Sequence, residues 1–438
     1  MTTITMKKIL IPILILASLT GFAQNPAPAK PQAKTIALMS GTVHVGNGRV
    51  IPNGVVLFTN GVITNVVDGT LVRLNLTDVE VIDVSGKHVY PGFISPAATV
   101  GLEEIGAVRA TVDKQEVGIL NPNVRSLIAY NTDSEIIPTI RNNGVLLTQA
   151  MPQGGTVSGS SSVMMADGWN WEDAVLKKDD GIWLNWPRYF SRDFNVEDFT
   201  TVIKKDEKRG PAIEALRATF TDAKAYAALS NPTPMNLKLA SMRGLFSGKQ
   251  NLYIRADYGK DIIDAVTFAR SMGVQNVVIV GGEEANRVVT FLKDNNVPVI
   301  LSALHRLPNR EDEDVDLPYR MPGILQKAGV LVALSYADEW WRTRNLPFLA
   351  GTAAGFGVSD REEALKMVTS NTAKILGIDT VVGTLEKGKQ ATLFVSAGDA
   401  LDMRTNVVEQ VFIQGRKVNL DDRHKRLYKT YKEKYEQK

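Results

Sequence analysis

Short runs that alternate apolar and polar residues, broken by glycine and asparagine, begin after residue 34. Thr35–Gly41, Val43–Val45, Gly54–Thr59 and Val62–Val67 have the two-residue period of half-buried strands. Asn60-Gly61 between two such runs predicts a tight hairpin. Val81–Lys87 alternates in the same way. From residue 93 the pattern changes. Apolar runs of strand length recur at Gly144–Ala150, Leu252–Ala256, Val277–Val280, Val297–Leu301 and Val330–Leu334. Each has a helical pattern nearby, as at Asp261–Met272 and Glu284–Asn295, and strand alternating with helix predicts parallel βα units. The stretch from Met151 to Gln250 is less regular. Its Gly/Ser-rich run, Gly154–Ser162, reads as a loop, and it lacks the Gly-Lys-Ser/Thr ending of a phosphate loop. Trp169, Trp171, Trp183 and Trp186 follow, read as core packing in preference to a substrate platform. Past residue 377, Val382–Val395 and Val407–Val418 return to β-type runs. In the tail, Leu427, Tyr428, Tyr431 and Tyr435 fall at helical spacing among seven Lys/Arg, which predicts a helix laid against the protein or a partner.

Length and composition narrow the classes. At 438 residues the chain suits a barrel of typical size plus one accessory domain. A net charge of +3 implies no nucleic-acid partner. Cysteine is absent, which removes disulfides, thiolate metal sites and a cysteine nucleophile together. Met6-Lys7-Lys8, the apolar run Ile9–Leu19 and Gly21-Phe22-Ala23 have the three parts of a secretory signal. That apolar run is too short to span a bilayer comfortably. The expectation is a secreted or periplasmic protein, with residues 1–24 removed, no membrane span after processing, and residues 25–34 as a disordered Pro/Ala-rich leader.

Tyr90-Pro91-Gly92-Phe93-Ile94-Ser95-Pro96-Ala97-Ala98-Thr99 resembles the junction at which the amidohydrolase superfamily passes from a small β domain into its barrel. That junction is usually P-G-[FL]-I-D-x-H-x-H; here Ser95 replaces the Asp, and Ala97 and Thr99 stand at the two histidine positions. Gly383–Val395 resembles the family's G-x-[LI]-x-x-G-K-x-A-D-[LI]-V-V, with Thr392 for the Asp. Thr369–Gly377 resembles its T-x-N-P-A-x-x-L-G, with Thr372 for the Pro. Within the superfamily the likeness is to the imidazolonepropionase-like secreted hydrolases. It implies a TIM-type (β/α)8 barrel over residues 93–377, with a β-sandwich built from residues 35–92 and 378–420 and a charged tail over 421–438.

The same resemblance implies a divalent metal such as zinc, held by His-x-His on strand one, histidines on strands five and six, and Asp on strand eight. On strand five Arg255 or Asp257 lies near the expected histidine, on strand six Gly281 replaces it, and on strand eight Asp338 keeps the family's residue type. Of the four histidines only His305, after strand seven, is placed where a barrel site could use it. The candidates are therefore Asp338 as the catalytic residue, with Arg255, Asp257, His305 and Glu103 as substrate-binding residues. No metal or other cofactor is expected, because zinc-type sites want nitrogen or sulfur donors. A site of carboxylates alone (Glu103, Glu104, Asp257, Asp338) would favour harder cations. Arg255 has two readings: a guanidinium in the vacated cation site, binding a substrate carboxylate or pairing with Asp338, or a snorkelling or ion-paired side chain. The run Arg310–Asp316 reads as a solvated loop.

Two functions follow. One is an exported hydrolase of carbon–nitrogen bonds in cyclic amides or related small molecules, with a degenerate metal site. The other is a catalytically silent relative that binds a small ligand, either as a homo-oligomer or beside an active paralogue that keeps its histidines. Fold alone does not separate them. Export is directly testable: intact-mass analysis of periplasmic protein is expected to give a chain starting near Gln24 or Asn25, and full-length cytoplasmic protein would refute it.

Overall fold

Ser40, left-handed at φ 68°, divides the first strand of the protein between two partners. The coordinates are a computed structural model that describes residues 28–73, 75–196, 201–302, 304–308, 310, 312–337 and 339–436; the signal expected over residues 1–24 lies outside them. The front of the chain supplies β1 (Thr35–His44), β2 (Val50–Thr59), β3 (Val62–Asp68), β4 (Val79–Asp83) and β5 (His88–Pro91). Before Ser40, β1 runs parallel to β4; after it, Thr42 and Val43 pair with β5. On its other edge β1 pairs with β2, and β2 with β3 through the Asn60-Gly61 hairpin, both residues having positive φ. Residues 28–34 are not a free leader. Gln32 Nε2 donates to Phe58 O at 2.8 Å and its Oε1 accepts from Gly61 N at 2.9 Å, so this side chain secures the hairpin.

A second sheet begins at β6 (Phe93–Ala98) and continues with β7 (Val145–Ala150), β8 (Val157–Met165) and β9 (Val175–Asn185). A separate hairpin, β10 (Phe190–Phe194) and β11 (Thr201–Lys205), interrupts it. It resumes with β12 (Asn251–Ala256), β13 (Val277–Gly281), β14 (Val299–Ser302) and β15 (Val332–Ser335). The order is β6-β7-β8-β9-β12-β13-β14-β15. β15 returns beside β6, where Ser335 Oγ donates to Pro96 O at 2.6 Å, so the sheet is a nearly closed eight-stranded barrel.

One strand departs from the expected parallel repeat. β8 is antiparallel to both neighbours and buried along its whole length, where a Gly/Ser loop was expected. The small residues are there because another segment crosses over them: Asn121 N donates to Val157 O at 2.8 Å and Ser160 N to Val124 O at 2.7 Å. A Cβ at Gly159 would stand 2.5 Å from Val124 O. The hydroxyls of Ser160 and Ser161 donate to Asp179 and Asp180, which is how so polar a strand is buried without orphaned groups at those positions.

The chain then returns to the first sheet as β16 (Leu393–Ser396), β17 (Val408–Ile413) and β18 (Arg416–Val418). β16 pairs with β5, giving one continuous order β18-β17-β16-β5-β1-β2-β3 with β4 on β1. Hydrogen bonding thus joins strands from both chain ends in a single sheet with its own core of Leu38, Val56, Phe58, Ile63, Val89, Leu393 and Phe412. The tail forms the helix Arg423–Glu436, none of whose residues is buried. Only its first turns are tied down, by Arg426 to Glu135 at 3.0 Å and Lys425 Nζ to Asn142 at 2.6 Å. No helix of the described residues is long and apolar enough to cross a membrane.

Phe394 of β16 packs its ring 5.4 Å from Tyr90 and 4.9 Å from Phe93, and a Cβ at Gly144 would stand 2.5 Å from its ring. Phe394→Ala is expected to cost about 3–5 kcal/mol. Because its neighbours belong to β5, β6 and the approach to β7, hydrogen exchange should rise there as well as in β16. Exchange confined to β16 would show that the two ends do not depend on each other.

Candidate active site at the barrel mouth

All barrel strands except β8 run the same way and bring their C-terminal ends to one mouth, where barrel enzymes assemble their sites. At the end of β6 the regular alternation of side chains stops. Ala97 is left-handed, at φ 52°, and its N–H donates to Gln149 Oε1 at 3.0 Å. Thr99 lies beyond the strand, fully buried, with no hydrogen-bond partner for its hydroxyl among the described residues. Positions 97 and 99 therefore do not continue one alternating strand.

Gly281 ends β13 at φ 102°, and a Cβ there would overlap Asp257 Oδ1. The space a strand-six side chain would enter is already filled by the Asp257 carboxylate, whose Oδ2 pairs with Arg188 at 3.2 Å. Arg255 is half-buried on β12, between Asn185 and Val280 in the ladder, and its carbonyl accepts from Trp186 N at 3.2 Å. Glu103 stands apart, buried in the segment after β6 and paired with Lys114 at 2.6 Å. Asp338 lies outside the described residues. The structure thus brings Asp257 and Gly281 together and places Glu103 in a different ion pair.

His305 occupies the mouth after β14. Thr352 Oγ1 donates to Phe348 O at 2.9 Å, so its oxygen is left to accept from His305 Nε2 at 2.8 Å. This places the ring proton on Nε2 and a lone pair on Nδ1, which faces the Tyr336 hydroxyl at 3.5 Å. Burial, and then the Arg342 charge, hold the imidazole below its usual range, so it is neutral at pH 7. Burial also pushes the Tyr336 phenol up to about 12. Beside them the loop is solvated as expected, with Arg310, Asp312, Asp314 and Val315 exposed, and it is also cross-linked: Arg306 pairs with Glu313 at 2.8 Å, and Arg310 with Glu284 at 2.9 Å and Asp312 at 3.0 Å. Glu284, Arg310, Asp312, Glu313 and Tyr258 border a charged cleft of about 330 Å3.

Below the mouth lies a network that no motif pointed to. Asp180 is completely buried and accepts from Tyr253 OH at 2.6 Å, Ser161 Oγ at 2.7 Å and Gln149 Nε2 at 2.8 Å. These donors come from β12, β8 and β7. Burial raises the Asp180 carboxyl and carries the Tyr253 phenol well above its ordinary range. Trp183 stacks on Tyr253 at 4.9 Å and is core, as is Trp186, whereas Trp169 is exposed. The local signal was slight, because Asp179-Asp180 follow Lys177-Lys178 in β9 and the four read together as a solvated charge run.

The profile of the amidohydrolase family matches residues 251–418, from β12 to β18. Among solved structures, an amidohydrolase from Thermotoga maritima MSB8 has 27% identity and a TM-score of 0.76, covering 88% of this chain and 99% of its own. The chain is similar to the amidohydrolase superfamily both in its matched segment and in its fold. A prolidase complexed with N-methylphosphonate-L-proline (17% identity, TM-score 0.53, 88% of this chain and 99% of that one) shares the fold. So does an adenosine deaminase from Xanthomonas campestris with bound zinc (12%, 0.52, 92% and 98%). No curated protein matches the chain.

The likeness to that superfamily implies a metal, and the described residues do not fit a histidine-held one. Ala97 and Gly281 have no donor side chain, and Asp257 fills the space beside Gly281. Among the described residues no three His, Asp or Glu side chains converge as a metal site.

Asp261, at the start of the helix Gly259–Ser271 behind Asp257, provides a stability test. Its carboxylate is buried without a well-formed hydrogen bond, and burial pushes it up to about 6, against the opposing pull of Arg209. The folded protein therefore binds this proton more tightly than the unfolded chain, and stability falls as pH rises from about 4 to about 6. Asp261→Asn is expected to remove that fall and to stabilise the protein at pH 7 by roughly 1–3 kcal/mol. Chemical denaturation across pH 4–7 measures it; an unchanged profile would place the charge in contact with solvent.

Proposed function

We propose that this amidohydrolase-superfamily chain is an exported protein that binds a small polar molecule, a cyclic amide or related C–N compound, at its barrel mouth without a histidine-held metal. The observation that carries this reading is the Asp257 carboxylate in the space beside Gly281, neutralised by Arg188. In a metal-dependent relative a cation would supply Lewis-acid chemistry at such a mouth; here a guanidinium answers the carboxylate instead. The cross-linked Arg310, Glu284 and Asp312 side chains of the cleft supply donors and acceptors of fixed direction for a polar ligand.

A second reading, hydrolysis of the same C–N bonds, is favoured by His305. Its bond to Thr352 orients the ring with an unprotonated Nδ1, and its depressed basicity leaves it neutral at pH 7, ready to take a proton from water. An active paralogue as partner fits the first reading, since a silent subunit then keeps its fold while the partner keeps the chemistry.

Elemental analysis of protein purified without chelators or a His tag is expected to find less than about one-tenth equivalent of Zn, Mn, Fe or Ni. Calorimetric titration with a panel of cyclic amides is expected to show binding without turnover. Near-stoichiometric metal that is lost in Asp338→Asn, together with turnover, would overturn the proposal. Metal-free turnover abolished by His305→Gln would select the second reading.

A further inference from the structure

Two histidines left aside by the barrel mouth meet at the boundary between the two sheets. His44 ends β1, His88 begins β5, and Glu362 stands in the helix Arg361–Lys366 that follows the barrel strands. His44 Nδ1 lies 2.7 Å from Glu362 Oε1, and His44 Nε2 lies 2.9 Å from His88 Nδ1. The His44 ring stacks on Tyr90 at 4.2 Å and 6° between planes, which limits its rotation. Glu362 and His44 are both mostly buried.

We infer that Glu362, His44 and His88 form a proton-operated clasp between the two-ended β-sheet and the barrel. The argument is a count of hydrogens. The ionised Glu362 only accepts, so His44 Nδ1 carries a proton. With both rings otherwise neutral, His88 Nδ1–H donates to the His44 Nε2 lone pair. With one added proton, His44 becomes the donor at both nitrogens, balanced by Glu362, and His88 Nδ1 accepts. A second added proton leaves N–H facing N–H at 2.9 Å and two cations in one poorly solvated site. The hydrogen bond is then lost and the rings repel.

The neighbouring charges do not relieve this. Arg361, on the same helix, pairs with Asp399, which follows β16; Lys366 pairs with Glu363; Lys87, before β5, pairs with Glu409. The remaining titratable neighbour is the Tyr90 phenol, which burial raises and which is neutral throughout. Burial and the His44 charge depress His88 in the same sense. A depressed histidine contributes stability that is whole above about pH 6.5 and is lost as pH falls below it.

The experiment is hydrogen exchange of the full chain at pH 7.5 and 5.5, corrected for intrinsic rates, with histidine C2–H titration by NMR. Exchange in β5 and in Arg361–Lys366 is expected to speed up about tenfold more than in β12–β14 at the lower pH. His88→Gln should abolish that difference. His88 should titrate below the ordinary histidine range. Uniform exchange across both regions, a His88→Gln protein that keeps the full difference, or a His88 that titrates at the ordinary value would each overturn the clasp. Should His88→Gln not fold, the wild-type titration decides alone.

Discussion

A carboxylate with no access to water organises the interior of the barrel. Burying the Asp180 carboxyl is costly unless donors meet it, and three side chains do, from β7, β8 and β12. Asp180 lies on β9, so Ser161 of β8 and Tyr253 of β12 reach it from the two neighbouring strands, and Gln149 of β7 reaches it past β8. The demand for donors explains the composition of β8. Serine at 161 supplies a hydroxyl in the volume of a small residue, and Gly159 admits the backbone of Val124. The network extends both ways: Gln149 reaches the Ala97 N–H at the mouth, and Asn251 links Tyr253 OH to Ile375 O in the helix Ser370–Leu376. One buried charge thus fixes the left-handed end of β6 and ties the barrel to its last helix.

That arrangement bears on the mouth. With Ala97 held by Gln149, β6 presents a turned backbone where an alternating strand would present two side chains to a metal. With Asp257 beside Gly281 the opposite wall is filled too. Ala97 and Gly281 both have positive φ, the conformation L side chains adopt at a cost. Returning imidazoles to these positions would meet both the Gln149 bond and the Asp257 carboxylate. The difference from the ligand set that the resemblance implies is therefore a matter of backbone and packing as well as side-chain identity.

Much of the fold was legible because its signals are local. Asn60-Gly61 encodes its own hairpin, Pro91-Gly92 marks the passage between sheets, and apolar runs at 252, 277, 299 and 332 are strands for which burial on both faces leaves no polar alternation. β8 was not legible, since glycine and serine are loop formers until another segment covers them. The packing of residues 28–34 was hidden for a related reason: a Pro/Ala-rich stretch has no periodicity, and only the Gln32 side chain holds it to the hairpin. At the mouth, sequence position identified Asp257, Gly281 and His305 as neighbours of a barrel site. It could not reveal that one fills the space beside another, nor that Thr352 orients the imidazole. Asp180 escaped because a carboxylate flanked by a second one reads as solvated surface.

The same contrast separates what maintains this protein from what it can do. Its stability lies in aromatic and aliphatic contacts such as Phe394 against Tyr90 and Phe93, in the ladder from β16 to β5, and in the Asp180 network, none of which needs a metal. A chain can therefore change residues at its mouth and keep the barrel, provided each vacated polar position finds a new answer. Asp257 finds Arg188, and Arg306 finds Glu313. Those answers are mutual: each pair holds a carboxylate of the mouth beside a guanidinium of fixed direction. The mouth is held in place by a general rule, that a charge taken out of water keeps its counter-charge.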